Sequence, residues 1–144
     1  MSTVNIYLSF LGNCQEAFDF YKSVFGGEFS MVNRYSEMPP QEGMHAVPDE
    51  MKDYILHISL PISAETVLMG SDTGGPWAAD WTQGNNFTIS VLPDSKEDGE
   101  RIFNALAEGG VVTMPYSYSF WGAWFGSLKD KFGINWMVNL PGQE

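Results

Sequence analysis

The stretch NIYLSFLGN, residues 5–13, decides the fold, because its pattern returns later in the chain as NNFTISVLPD, residues 85–94. In both stretches apolar and polar side chains alternate, which is typical of a strand with one buried face. A turn signal then ends each run, Gly12-Asn13 in the first and Pro93-Asp94 in the second. The repetition indicates an internal duplication.

A helix is predicted after each of the two strands. Asn13 and Ser95 are the predicted N-caps, and each is followed three residues later by an acidic side chain, as in a capping box. Apolar residues then recur at helical spacing until Gly26-Gly27 or Gly109-Gly110 ends the helix. Three extended runs follow each glycine pair, near 28–35, 54–60 and 66–71, and near 111–118, 122–129 and 134–139.

The repeated order predicts two βαβββ modules, residues 1–72 and 85–141, joined by a linker at 73–84 within a single domain, 1–144. Two amphipathic helices and eight strands predict a two-layer α+β fold. The chain has 144 residues, of which 44% are hydrophobic, so we expect it to bury a core without disulfides or metals.

Strand alternation separates a core face from a polar face. The positions predicted to pack under a helix are Leu56, Ile58, Leu60, Ile6, Leu8, Phe10, Phe87, Ile89 and Val91. The opposite parity carries Asn5, Tyr7, Ser9, His57, Ser59, Asn86, Thr88 and Ser90. A strand face that mixes amides, hydroxyls, an imidazole and a phenol is either open to water or lines a cavity.

Composition excludes some classes of function. With 18 acidic and 7 basic residues, the formal net charge is −11, which disfavours nucleic-acid binding. The scattered acids favour solubility, and they would also attract a cationic ligand. The single cysteine, Cys14, excludes an internal disulfide and suits a reducing compartment. Neither a leader pattern nor a run of apolar residues long enough for a membrane span occurs, so we predict a cytoplasmic protein without membrane contact.

A family pattern extends over nearly the whole chain. Its segments are YLSFLGNCQEAFDFYKSVFGGE, LHISL, VLMGSD, NNFTISV, ALAEGGVVTMP and SFWGAWFGSLKDKFGINWMVN. In the last segment Asp130 begins a turn that Gly133 closes, and an aspartate there accepts backbone hydrogen bonds. Together these segments resemble the vicinal oxygen chelate superfamily of glyoxalases, bleomycin-resistance proteins and dioxygenases, and within it the PhnB-like branch. The resemblance implies a cupped mixed sheet around a small-molecule site, commonly within a homodimer.

The resemblance also identifies positions that hold a metal in some relatives, which use His, Glu or Gln from the first and fourth strands of each module. The corresponding residues here are Asn5, Met69, Asn86 and Met137. Two amides and two thioethers supply neither charge nor imidazole, so we predict no divalent metal and no cofactor.

Three other polar residues are candidates for a functional site. His57 is either a hydrogen-bonded pocket residue or a general acid/base. Asp72 either forms a turn or joins a site, and His45 lies in a loop, 37–53, that we expect to be exposed.

Three functions remain open. The first is metal-free binding of a small molecule, aromatic or cationic, by Asn5, Tyr7, His57, Met69, Asn86, Thr88, Trp121 and Met137. The second is an enzyme of the lyase, isomerase or dioxygenase class with His57 as acid/base. The third is an assembly subunit, since Trp77 and Trp81 of the linker would cover a partner in a homodimer. A methyltransferase, a label common in this branch, is disfavoured because no Gly-rich loop stands between a strand and a helix.

Overall fold

Residues 1–43 and 46–142 are described by a computed structural model. The chain divides into two units, Met1–Trp81 and Thr82–Glu144, and the division falls inside the predicted linker. His45 lies outside the described residues.

The first unit contains one helix and a four-stranded sheet. Its elements are β1 (Ile6–Phe10), α1 (Cys14–Phe25), β2 (Met31–Arg34), β3 (Ile55–Pro61) and β4 (Val67–Asp72). The strand order is β1-β4-β3-β2, in which β1 and β4 are parallel and the other pairs antiparallel. This arrangement is the predicted βαβββ module.

The second unit repeats the same plan. Its elements are β5 (Ile89–Val91), α2 (Lys96–Ala107), β6 (Val111–Tyr118), β7 (Ala123–Lys129) and β8 (Asn135–Pro141). The order β5-β8-β7-β6, again with one parallel pair, matches the first sheet strand for strand. The predicted α+β class is therefore confirmed.

Each helix covers one face of its own sheet. In the first unit, α1 buries Phe18 and Tyr21, and Phe18 lies so close to β4 that a Cβ on Gly70 would stand 2.6 Å from its ring. In the second unit, a Cβ on Gly126 of β7 would stand 2.7 Å from the ring of Phe103 on α2. Since real Cβ contacts are never that short, both close approaches require glycine.

Several details of the predicted core are wrong. Phe87 is 54% exposed and precedes the strand, because β5 begins only at Ile89. Leu56 is half-buried, since a bulge pairs Arg34 with Ile55 and leaves Leu56 without a partner on β2. Ile55 is fully buried in its place.

Of the two predicted helix N-caps, the structure confirms the one at α2 and not the one at α1. Ser95 accepts a hydrogen bond from the Asp98 amide at 3.0 Å, which confirms the cap of α2. Asn13 precedes α1 but forms no capping hydrogen bond with its side chain, so the predicted capping box is wrong.

In the part of the chain that the structure describes, every helix is too short or too polar to span a bilayer.

Candidate functional site

A row of four side chains crosses the first sheet on its polar parity. Strand register places Tyr7 beside Met69, Met69 beside Ser59, and Ser59 beside Met31. Side chains in register on neighbouring strands stand about 5 Å apart, so the row is continuous from β1 to β2. All four side chains are neutral.

His57 adjoins this row on β3. Its Nε2 lies 2.8 Å from Ser59 Oγ, and its ring centroid lies 5.8 Å from that of Tyr7. Ser59 is buried, His57 is half-buried and Tyr7 is 52% exposed, so solvent exposure increases from Ser59 through His57 to Tyr7. The hydrogen bond to Ser59 occupies Nε2, and Nδ1 is the other ring nitrogen that can donate or accept a hydrogen bond.

The second sheet carries a related row. Register places Ser90 beside Met137, Met137 beside Ser127, and Ser127 next to Met114. Both units therefore present a serine between two methionines. Ser127 takes the place of Ser59 but bonds Thr113 Oγ1 at 2.7 Å instead of an imidazole.

The residue that replaces His57 in the second unit is Phe125, which holds the same position relative to the serine of its row. Its ring lies 5.4 Å from that of Trp121, which in turn lies 5.0 Å from that of Phe120. The second unit thus offers an aromatic cluster where the first offers an imidazole.

The structure distributes the predicted site residues unevenly. It brings Tyr7, His57 and Met69 together in the first unit, as described above. Asn5 precedes β1, and its Oδ1 accepts a hydrogen bond from the Val67 amide at 2.9 Å. Asn86 and Thr88 are exposed before β5 begins.

Strand register also corrects which residues of the two units correspond to each other. Because Tyr7 pairs with Met69 and Ser90 pairs with Met137, Tyr7 corresponds to Ser90. Asn5 therefore corresponds to Thr88 and not to Asn86. Met31 was missed in the sequence, although its alternation with Asn33 along β2 could have placed it on the polar face.

Asp72 is part of the scaffold. Its carboxylate is buried and accepts hydrogen bonds from the amides of Gly12 at 2.8 Å, Cys14 at 2.9 Å and Ile55 at 2.9 Å. Those bonds tie the start of α1 and the start of β3 to the end of β4. The carboxylate therefore has a structural role, but its partners lie in distant elements, so it does not form the local turn that the sequence suggested.

The thiol of Cys14 is unreactive. Burial raises the pKa of its thiol far above the ordinary value, and the negative charge of Asp72 raises that pKa further. These two effects outweigh the helix N-terminus, which would lower a thiol pKa. The thiol stays protonated at neutral pH, so it is not a nucleophile.

A cavity of about 330 Å³ lies elsewhere in the first unit, between Tyr35 and Lys52. Its wall consists mainly of loop residues, and the Lys52 ammonium at its edge already pairs with Asp49 at 3.0 Å. None of the predicted site residues lines it. Converging polar groups are what give a cavity specificity, and this one offers few.

The residues at the metal-ligand positions do not fit a divalent metal. The side-chain oxygen of Asn5 already accepts a hydrogen bond from the Val67 amide. Met69 and Met137 offer only thioether sulfur, which is a weak ligand for such ions. Among residues 1–43 and 46–142, His, Cys, Asp and Glu side chains form no group of three or more that could hold an ion.

A protein-family model described as 3-demethylubiquinone-9 3-methyltransferase matches residues 2–139, almost the entire chain. The chain belongs to this PhnB-like family. It is also similar to protein YjdN of Escherichia coli (strain K12), with 32% identity over 143 residues that cover 96% of this chain and 95% of YjdN.

Solved structures show the same fold. Protein PA1353 from Pseudomonas aeruginosa is 39% identical, with 99% of both chains covered and a TM-score of 0.83. A glyoxylase/bleomycin resistance protein/dioxygenase domain from Frankia sp. EAN1pec is 12% identical, covers 98% of this chain and 96% of its own, and has a TM-score of 0.62. The latter likeness shows the fold alone, and it places the fold among the glyoxalase-like proteins that the sequence resembles.

The family's description names a methyl transfer, but the helix that follows β1 is poorly suited to hold an anionic cofactor group. Such groups commonly bind the free amides at a helix N-terminus. Here the amides of Gly12 and Cys14 already donate to Asp72.

Proposed function

We propose that this protein binds a small aromatic molecule carrying a positive charge, and that the ligand lies against the polar face of the first sheet. The observation that carries the proposal is the cluster of Tyr7, His57 and Ser59, with the imidazole held at 2.8 Å by the serine hydroxyl. An exposed phenol next to a fixed imidazole offers both a stacking surface and a hydrogen-bonding atom.

Methionines on either side of Ser59 support the same ligand class. Thioether side chains adapt their shape and make favourable contacts with aromatic rings. Met69 and Met31 stand in register with Ser59 on the two neighbouring strands. They would flank a flat molecule that lies across the row.

Charge supports a cation over an anion. The row contains no charged side chain, whereas the chain as a whole has a net charge of −11. The surrounding field therefore attracts cations and repels anions, and a neutral tyrosine face adds a cation–π contact.

Fluorescence titration tests the proposal with proflavine, a planar aromatic cation, against an anilinonaphthalene sulfonate, an aromatic anion. We expect the wild type to bind proflavine more tightly than the sulfonate. His57→Phe, which places in the first unit the residue that the second unit has, should raise the proflavine Kd roughly tenfold by removing one hydrogen bond. Tyr7→Ala should weaken binding by a similar factor through lost stacking.

Leu92→Ala is the matched control, because Leu92 is an exposed apolar residue far along the chain from this face. It should leave the Kd unchanged. Equal proflavine affinity in the wild type, His57→Phe and Tyr7→Ala proteins would refute the proposed site.

A second candidate function is favoured by the same hydrogen bond. A histidine held at 2.8 Å by a serine hydroxyl has the geometry of an oriented general acid/base. We infer that, if the protein is an enzyme of the glyoxalase-like class, His57 moves the proton. The hemithioacetal of methylglyoxal and glutathione is the probe: turnover that both His57→Phe and His57→Gln abolish would support it, because a glutamine amide keeps a hydrogen bond but cannot move a proton. Turnover retained by His57→Gln would contradict the acid/base role, and no turnover by wild type would rule out this substrate.

A further inference from the structure

Three aromatic side chains lie together on the helix side of the second sheet, where α2 begins. Tyr118 of β6 and Trp124 of β7 are in register, and their ring centroids lie 5.6 Å apart with 64° between the ring planes. Tyr116 lies 5.9 Å from Trp124. Trp124 shares the strand parity of Gly126, which approaches Phe103 of α2, so the rings lie on the face opposite the polar row. We call Tyr116, Tyr118 and Trp124 the aromatic cluster.

The aromatic cluster is open to solvent and already holds a cation. Its three side chains are half-buried, and Lys96 beside them is exposed. The Lys96 Nζ lies 4.2 Å from the centroid of the Trp124 ring, where an ammonium and an indole attract each other. Lys96 is the first residue of α2, and the helix macrodipole disfavours a positive charge at that position. The surroundings of the cluster therefore attract a cation at a place where the helix alone would repel one.

Acidic side chains contribute to that attraction. Burial raises the pKa of the Tyr116 hydroxyl, and the negative charges of Glu100, Glu97 and Asp98 raise it further. The phenol therefore stays neutral at physiological pH, and the field of three carboxylates reaches the cluster. The Asp98 carboxylate also pairs with Arg101 at 3.0 Å, so Glu97 and Glu100 supply most of the negative charge beside the rings.

The helix itself is adapted to the cluster. Gly99 lies within α2, where glycine is less favourable than alanine. A Cβ at this position would collide with the Tyr116 hydroxyl and would stand 3.0 Å from Pro93. The same hydroxyl donates to the Lys96 carbonyl at 3.4 Å. Glycine at position 99 thus lets the Tyr116 ring reach the first turn of α2, next to Lys96.

We propose that the aromatic cluster binds the quaternary ammonium group of a small molecule such as choline, and that this group displaces the Lys96 ammonium from Trp124. A quaternary ammonium has no N–H to hydrate, whereas a lysine ammonium is strongly hydrated, so the quaternary group leaves water more readily. Lys96 is exposed, and its ammonium returns to solvent when it is displaced. Several aromatic rings around one cation are the arrangement that recognises such groups in other proteins.

The site belongs to the second unit alone, and it does not depend on the ligand proposed for the first sheet. NMR of the ¹⁵N-labelled tryptophan indoles tests it, with tetramethylammonium chloride as the probe and sodium chloride keeping the ionic strength constant. We expect the Trp124 signal, assigned through Trp124→Phe, to shift along a saturating curve with a Kd of about 10 mM.

Two other tryptophans are internal controls for this titration. Trp77 stacks on Tyr35 with 5.9 Å between ring centroids, and the Trp81 indole donates to the Ser9 carbonyl at 3.3 Å. Both lie in the first unit. Their indole signals should stay in place while the Trp124 signal moves.

Lys96→Met separates a binding site from a contact that only stabilises α2. The substitution removes the competing ammonium and keeps a long side chain, so the Kd for tetramethylammonium should fall roughly threefold. Lys131→Met is the matched control: it removes the same charge in the same unit, from a Nζ that lies 5.6 Å from the Phe132 ring, and it should leave the Kd unchanged. Tyr118→Leu removes one ring of the cluster and should raise the Kd roughly fivefold.

A Trp124 signal that shows no saturable shift in the wild type and in Lys96→Met would overturn the inference. So would one Kd shared by the wild type, Lys96→Met and Tyr118→Leu. Choline should shift the same signal, and the protein should not cosediment with phosphatidylcholine vesicles. Cosedimentation that Trp124→Phe abolishes would overturn the small-molecule ligand in favour of a lipid headgroup.

Discussion

Each unit buries one aspartate, Asp72 in the first and Asp130 in the second. Both carboxylates accept hydrogen bonds from backbone amides, but the positions of those amides differ. Asp72 binds amides that are far away in the sequence, at Gly12, Cys14 and Ile55. Asp130 binds the amides of Phe132 and Ile134, within its own turn. A buried carboxylate can therefore join distant elements in one copy of a duplicated module and close a local turn in the other.

The comparison explains why α1 and α2 begin differently. In the second unit, the cap of α2 is Ser95, as the sequence predicts. In the first unit, the Asp72 carboxylate from β4 accepts the Cys14 amide at the first turn of α1. A side chain from another strand thus replaces the local cap that Asn13 would have provided.

The largest effect is expected at Asp72. Asp72→Asn keeps the size of the side chain but replaces one acceptor oxygen with a donor, which faces backbone amides that are themselves donors. We expect the free energy of unfolding to fall by about 4 kcal/mol, because buried amides lose a charged acceptor. Urea denaturation measures the change, and a loss below about 1 kcal/mol would contradict the joining role.

A smaller effect is expected at Asp130. Asp130→Asn retains an oxygen for the two turn amides, which an asparagine also binds in such turns. The other oxygen accepts the Trp136 indole at 2.8 Å, and that bond is lost. We expect a loss of about 2 kcal/mol.

The loss of unfolding free energy caused by Asp130→Asn should be smaller in a Trp136→Phe background, because the indole partner is then already absent. Such a cycle isolates the coupling between the two side chains. Additive losses in the double variant would show that the indole contact contributes nothing.

The helix caps should give the smallest effects. Ser95→Ala should lower the free energy of unfolding by about 1 kcal/mol, because it removes the acceptor of the Asp98 amide. Asn13→Ala should change it by no more than about 0.5 kcal/mol, since its side chain makes no capping bond. The reverse order of the two losses, in the same urea experiment, would mean that Asn13 caps α1 after all.

The sequence predicted the features that depend on local pattern. Alternation and helical spacing located both helices and all eight strands, and the turn chemistry of Asp130 was predictable because its partners follow it directly. Asp72 was undecided, because its partners are separated from it by whole elements.

The site was predicted in part, for the same reason. The alternation of apolar and polar side chains placed Tyr7 and His57 on the polar face. It could not show the bulge beside Leu56 or the late start of β5. Register then decided which residues are neighbours: it paired Met69 with Tyr7 and not with Asn5. Met31 joined the row only through the pairing of β2 with β3.

The two polar faces can be compared directly through their methionines. Met69 and Met31 flank Ser59 in the first unit, and Met137 and Met114 flank Ser127 in the second. The four thioether methyl groups are therefore natural reporters on the two faces, and the fully buried Met51 serves as an internal control.

Methyl NMR of protein labelled with ¹³C at the methionine methyl groups, titrated with proflavine, tests the central claim most directly. The account predicts that the Met69 and Met31 signals shift with a single saturating curve while the Met51 signal stays in place. The Met137 and Met114 signals should move little, because the second face has Phe125 where the first has His57. Shifts confined to Met137 and Met114, or no methionine shift at saturating proflavine, would contradict a ligand site on the first sheet.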